Sequence, residues 1–382
     1  MYHRIRFASV LSLIVLLSLL FGSGAQASSL PAEQNGEAAL QNDLVVQKSF
    51  SRAERQAARS FWTRERIAAA PAMALPVDQG AAVVDTAGMA AESLAGAPGF
   101  SAAGLAAPGA DAAARKAYAS DWQALAEETA LAGIQADEPA GTTQVQTSYL
   151  VSSLMHSWYP HRWIGRVSFN TPTGPATCSG TAISGNVMVT AAHCLYTTTS
   201  NTWHTSVVFS PSYRNGSAPY GVFPATSCTV LTAWVNLSGS FSINGWSKYD
   251  VGVCKMGVNS IGQTLNTAVG WAGRQWNQPY IRHFHNIGYP ARDYRDVLLS
   301  SAALYQRACV AESFTQTTDT RGMGCLWGRG ISGGPWLVNY APTFVSGNVD
   351  GVNSGLFIGT ANMYGPRFTS NNIVPLCTAA AC

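Results

Sequence analysis

The chain has 382 residues, with 23 Lys and Arg against 20 Asp and Glu and a formal charge of +3. That length accommodates two or three units of ordinary domain size. The basic residues are scattered without a run or stripe, which argues against nucleic acid as a partner, and past the N-terminal segment no apolar run approaches the roughly 20 residues of a bilayer span.

In chain order, Arg4 and Arg6 precede an apolar run from Val10 to Phe21, and Ala25-Gln26-Ala27 offers a small-residue cleavage site. Residues 1–27 therefore read as a signal peptide, with export to the extracellular space and no membrane anchor once it is removed. Residues 28–147 form a second unit, rich in Ala, free of Cys and acidic, with a formal charge of −6 over 28–145. Leu44 to Ala70 carries apolar residues at a rough helical period, and a second helical stretch is predicted from about Ala112 to Ile134. Between them, Pro71 to Pro108 is dense in Ala, Gly and Pro and reads as a linker or a poorly ordered stretch. Position and charge predict that 28–147 is a propeptide, because residues 146–382 carry +7 and attract it. Its role would be that of an intramolecular inhibitor or folding aid.

From Ser148 the texture changes to Thr, Ser, Val, Gly and aromatics. Arg166–Phe169, Gly180–Ile183, Val187–Thr190, Ser206–Phe209 and Leu356–Gly359 are short β-like runs separated by turn residues, so 148–382 is predicted to be all-β, one domain or a pair of packed small barrels. All eight cysteines lie between Cys178 and Cys382, and an even number in an exported chain predicts disulfides. A zinc site is not expected, because no Cys-x-x-Cys occurs and His283-Phe-His285 has no cysteine near it. No calcium-ligand cluster is visible either.

Three stretches carry chemistry: Thr190-Ala-Ala-His-Cys194, Tyr249-Asp-Val-Gly-Val253 and Gly330-Ile-Ser-Gly-Gly-Pro335. They supply a base, His193; an acid to orient it, Asp250; and a nucleophile, Ser332, which is the equipment of nucleophilic acyl transfer. Among the six acids of the C-terminal region, Asp250 opens an apolar run. Asp296 is its nearest rival, but like Asp293 it sits among Arg292, Tyr294 and Arg295. Glu312 and Asp319 lie in a polar stretch, and Asp350 follows Ser332. Gly330 allows its own N–H and that of Ser332 to converge as an oxyanion hole. The order His, Asp, Ser excludes an α/β-hydrolase esterase, in which Ser comes first.

The motifs Thr190–Cys194 and Ser332–Pro335, with Cys178-Ser-Gly-Thr-Ala-Ile183 ahead of them, resemble the chymotrypsin-like (trypsin-fold) serine peptidases. Within that family they resemble secreted bacterial or fungal members related to the glutamyl endopeptidases. The resemblance covers about 150–382 and implies two antiparallel six-stranded β-barrels, with His193 and Asp250 in the first and Ser332 in the second. It implies a monomeric endopeptidase acting on polypeptides without a cofactor, and a substrate pocket involving Leu326 and Asn353. Loop logic and the same resemblance pair Cys178 with Cys194. Cys309–Cys325, Cys377–Cys382 and Cys228–Cys254 are the remaining pairings expected.

The departures carry information. Ile331 stands where the family usually has Asp, so activation by a newly released N-terminus is not available there, and occlusion by the acidic segment becomes the natural control. Leu326 gives the pocket base no acid for Lys or Arg substrates, and Asn353 stands where glutamyl-specific relatives tend to carry His. Trp327 and Arg329 are further pocket candidates. The alternative class is an inactive trypsin-fold binding module using some of the nine Trp from Trp158 onward. Retention of all three triad residues and the flanking glycines argues against it.

Overall fold

The computed structural model describes residues 43–80, 96–107, 147–153, 155–300, 302–341 and 345–382. The signal segment and the helix expected at 112–134 lie outside the described residues. Among those described, no helix is long and apolar enough to cross a membrane.

The N-terminal part contributes strands β1 (Val45–Ser49), β2 (Val77–Asp78), β3 (Gly99–Ser101) and β4 (Thr147–Leu150). The middle of the chain forms β5 (Ile164–Thr171), β6 (Gly174–Ile183), β7 (Val187–Thr190), β8 (Tyr196–Thr197), β9 (Thr202–Trp203), β10 (Thr205–Pro211), β11 (Phe223–Leu231) and β12 (Gly252–Met256). The last third forms β13 (Gly273–Trp276), β14 (His283–Gly288), β15 (Arg307–Thr317), β16 (Thr320–Gly324), β17 (Pro335–Ala341), β18 (Ser346–Val352), β19 (Leu356–Phe357) and β20 (Asn362–Pro366). A helix, Ile373–Ala380, ends the chain.

Strands β5, β6, β7, β12, β11 and β10 pair antiparallel in that order, and β10 returns to β5, so six strands close a barrel. Val167, Phe169, Val187, Val189, Val208, Val230 and Val253 are buried in its core. Their β-branched and aromatic side chains fill a pleated interior at little cost in rotamer freedom.

The second half of the chain forms a larger, curled sheet. Its pairing runs β20-β16-β15-β14-β17-β18-β13-β3, and among the described residues no ladder joins the ends. Instead the sheet curls until β20 lies against β18 at glycines. A Cβ on Gly365 would fall 2.0 Å from the Val352 carbonyl oxygen, and one on Gly351 would fall 2.9 Å from that of Pro366. Bare backbone allows this approach, and just beyond β18 an antiparallel bridge, Gly355 to Tyr364, joins the two, with Ser354 N also donating to Tyr364 O at 2.9 Å.

The Leu44–Ala70 segment also departs from its predicted helix. It begins as β1, five residues paired antiparallel with β11, because Val45-Val46 and the register to Leu231 and Val230 favour a strand. Ser51 then starts a helix over Arg52–Phe61 through a capping box with Glu54, and Thr63 caps a second over Arg64–Ala69. Phe50, Ala58, Trp62, Ile67 and Ala70 are buried in the same apolar cluster as the barrel core. Trp62 Nε1 donates to the Ser206 carbonyl at 2.7 Å. Residues 71–78, read as linker, are extended and packed against both halves of the body.

Candidate active site

The buried strand β7 ends at Thr190, and a single tight turn over Ala192–Cys194 presents His193. Cys194 is bonded to Cys178 of β6, sixteen residues earlier, which ties the turn to the neighbouring strand. Asp250 follows another short turn, Ser247–Tyr249, and lies two residues before the start of β12, which pairs with β7. Two adjacent strands thus deliver base and acid to the same barrel end.

Asp250 is fully buried, and an ionised carboxylate is tolerated there only if its oxygens are occupied. Oδ1 accepts the backbone N–H of His193 at 2.9 Å. Oδ2 lies 2.7 Å from His193 Nδ1 and accepts the Ser354 hydroxyl at 2.6 Å. A carboxylate opposite Nδ1 assigns the proton to that nitrogen and leaves the Nε2 lone pair available.

The nucleophile loop is fixed by its carbonyls. Arg329 O accepts from Ala291 N at 2.7 Å, so Gly330 N–H, across the same planar peptide, points the opposite way. Ile331 O accepts from Gly334 N and Asn353 Nδ2, which turns Ser332 N–H away in the same manner. Neither N–H has an acceptor among the described residues. Ser179 braces the loop, since its hydroxyl donates to Gly330 O at 2.8 Å and its N–H donates to Ser332 O at 2.7 Å. Gly333 has φ +76°, and a Cβ there would fall 2.1 Å from Thr190 Oγ1, so the loop lies directly against the end of β7 that leads to His193. Ser332 Oγ and His193 Nε2 are both buried and unpartnered here. Catalytic hydrogen bonds often tighten only when substrate is present.

The rival acids are placed elsewhere. Asp296 is half exposed and pairs with Arg329, and Asp293 pairs with Arg295. The two pocket candidates part company. Leu326 is half-buried, whereas Asn353 is wholly buried. Asn353 exchanges two amide hydrogen bonds with Asn286, accepts from Trp336 Nε1 and donates to Ile331 O. It supports the nucleophile loop from beneath. The other cysteines are bonded as Cys228–Cys254, Cys309–Cys325 and Cys377–Cys382.

Ser354, Ser179 and Asn286 were not singled out from sequence. Ser354 and Ser179 do lie inside the Gly351–Gly355 and Cys178–Ile183 segments that carry the family resemblance. Asn286 has no local signal.

No protein-family model matches the chain. It is 27% identical over 195 residues to an extracellular metalloprotease of Bacillus subtilis (strain 168), covering 48% of this chain and 54% of that protein. It is 28% identical over 115 residues to a glutamyl endopeptidase of Bacillus licheniformis, covering 30% of this chain and 31% of that one. The chain thus matches about half or less of these curated relatives. Among solved structures, the protease Anisep from Arthrobacter nicotinovorans is 29% identical, covering 58% of this chain and 96% of that one with a TM-score of 0.47. Each of these three proteins is named as a peptidase. The first relative's name raises a metal. Among the described residues, Cys178, His193 and Cys194 have ligand atoms close enough to share an ion, but the two sulfurs are joined in a disulfide and offer no thiolate. That donor set does not fit a metal centre.

Proposed function

We propose that this chain is a secreted serine endopeptidase that cleaves polypeptides through an acyl-enzyme. The observation that carries the reading is Asp250, buried and bonded to both His193 N and His193 Nδ1. In this mechanism His193 Nε2 takes the Ser332 hydroxyl proton as Oγ attacks the peptide carbonyl. The tetrahedral oxyanion is held by the N–H groups of Gly330 and Ser332. The C–N bond then breaks as His193 returns the proton to the departing amine. Water, deprotonated by the same imidazole, releases the acid and restores Ser332. No cofactor takes part.

Residues 1–27 are a signal peptide in this reading, 28–147 a pro-region and 148–382 the catalytic part, acting as a monomer outside the cell. The pro-region keeps the enzyme inactive, and a cut between about Tyr118 and Arg166 releases activity. The test is labelling of the secreted, processed protein by a fluorophosphonate probe beside Ser332→Ala. Labelling that disappears in the variant supports an activated serine. Absence of labelling in folded, processed wild type overturns the reading.

A further inference from the structure

Residues 71–78 cross the candidate site from one side to the other. On the first side, Thr177 N donates to Pro71 O at 2.9 Å and Met73 N donates to Thr177 O at 2.8 Å, beside the Cys178–Cys194 disulfide that holds the His193 turn. Ala72 then passes over the nucleophile loop, where its Cβ lies 3.1 Å from the position a Cβ on Gly330 would take. On the second side, Leu356 N donates to Pro76 O at 3.2 Å, and β2 pairs parallel with β19, Val77 opposite Leu356 and Asp78 opposite Phe357. Asp78 anchors the far end, accepting Ile243 N at 2.7 Å.

The side chain between the two anchor points is Leu75. Its neighbour Ala74 is exposed, whereas Leu75 is buried in a cluster with Ile331, Leu356, Met363 and the Cys309–Cys325 disulfide, with Trp327 and Tyr294 at its margin. Ile331 directly precedes the nucleophile. Leu75 thus packs on apolar surface that begins one residue from Ser332, at Ile331, and continues into the core of the second sheet with Phe284, Trp336 and Val338.

Polarity explains why such a segment would not be cut. In acyl transfer the N-terminal half of a substrate stays on Ser332 with its side chain in the pocket, along Leu356. The C-terminal half leaves as the amine that His193 protonates, along Thr177. Here the N-terminal residues lie on Thr177 and the C-terminal ones on Leu356, the reverse arrangement. The carbonyls of Pro71, Pro76 and Asp78 are bonded to Thr177, Leu356 and Ile358, and none fills the hole of Gly330 and Ser332.

Resting on the serine-peptidase reading above, we propose that residues 71–78 are a built-in inhibitor threaded backwards through the cleft, and that Leu75 marks the pocket as one for Leu-sized apolar residues at the scissile position. A carboxylate or ammonium there would lose its hydration with no opposite charge from Ile331, Leu356 or Met363. Two cations lie over the rings at the cluster's margin, Arg307 over Trp327 at 5.0 Å and Arg295 over Tyr294 at 5.4 Å.

Three measurements test this. In the uncut chain, Leu75→Asp and Leu75→Ala should raise the fluorophosphonate labelling rate roughly 10- to 150-fold, the range set by the burial of one leucine side chain, while Leu75→Met stays near wild type. The octapeptide of residues 71–78 should inhibit processed enzyme competitively and survive intact. Processed enzyme should cleave after Leu and Met at least tenfold faster than after Glu, Asp, Lys or Arg. Unchanged labelling in Leu75→Asp, cleavage of the octapeptide or preference for Glu overturns the proposal, the last pointing to Arg307 instead. Any of these results with a processed wild type that labels sinks this inference alone. Failure of processed wild type to label sinks the peptidase reading itself.

Discussion

Asp250→Asn is the sharpest perturbation of the site, because the geometry leaves the amide no good orientation. The carboxylate receives His193 N on Oδ1 and faces Nδ1 with Oδ2. If the new NH₂ takes the Oδ2 position, it confronts Nδ1–H, and the imidazole relieves the clash by moving its proton to Nε2. It can then no longer accept a proton from Ser332. If the amide rotates, its NH₂ confronts the His193 backbone N–H, which cannot shed its proton, and a buried donor goes unpaired at about 1–3 kcal/mol. The first outcome predicts a loss of about 10⁴ in kcat, as for other triads of this kind. That corresponds to about 5.5 kcal/mol of transition-state stabilisation at about 1.4 kcal/mol per decade. Active-site-titrated kcat on an ester substrate, with a thermal melt alongside, measures both effects. A variant within tenfold of wild-type kcat and equally stable would refute Asp250 as the orienting acid.

Ser354→Ala removes one of the donors to Asp250 Oδ2 and should reduce kcat roughly tenfold or more, on the scale of one hydrogen bond to a charged group, with KM little changed. Gly333→Ala should abolish labelling of Ser332, because φ +76° and the contact with Thr190 both exclude a side chain; normal labelling would mean the loop sits elsewhere. Replacing Cys178 and Cys194 by Ala opens a loop of sixteen residues and should cost about 3 kcal/mol in urea melts of the Ser332→Ala protein. Acid should destabilise the fold through its histidines. Burial lowers His161 and His204 to about 4, so between pH 6.5 and 4 the unfolded chain binds more protons. This contribution is fully present above 6.5 and is lost as pH falls towards 4, by up to about 1.4 kcal/mol per pH unit for each ring. A His161→Asn variant should show a shallower slope between pH 7 and 5, and an unaltered slope would reject the assignment.

The parts of the site legible in the sequence were those whose geometry is local. Thr190–Cys194 and Gly328–Pro335 are tight turns whose small residues announce the backbone they form, so His193 and Ser332 stand out as candidates from the sequence. Ser354 could not, because its role depends on meeting Asp250 across 104 residues of chain. The β-rich texture after Ser148 pointed to the barrel, but the curl of the second sheet is set by contacts of Gly351 and Gly365 that no alternation encodes. β1 was read as helix because Val45 to Ile67 also fits a rough helical period. Its strand state comes from an edge of β11 about 180 residues away, and tertiary pairing of this kind overrides weak propensity.

The misreading of Pro71–Asp78 as linker has the same origin and a sharper lesson. A segment lying across a cleft touches the protein through its backbone at two ends and through one or two inward side chains. It therefore needs neither apolar periodicity nor a strong element propensity. Pro71 and Pro76 limit the backbone, Ala72 and Ala74 keep it slender, Leu75 is buried and Met73 is partly buried against the barrel core. Such a composition is indistinguishable from a spacer until the partner surface is known. The same economy makes the segment removable, because most of what binds it belongs to Thr177, Leu356 and Ile358 of the body. An occluding strand held this way can leave without disturbing the barrel, whereas β1 and the helices behind it, with Phe50, Trp62 and Ile67 in the core, separate only by exposing that apolar surface.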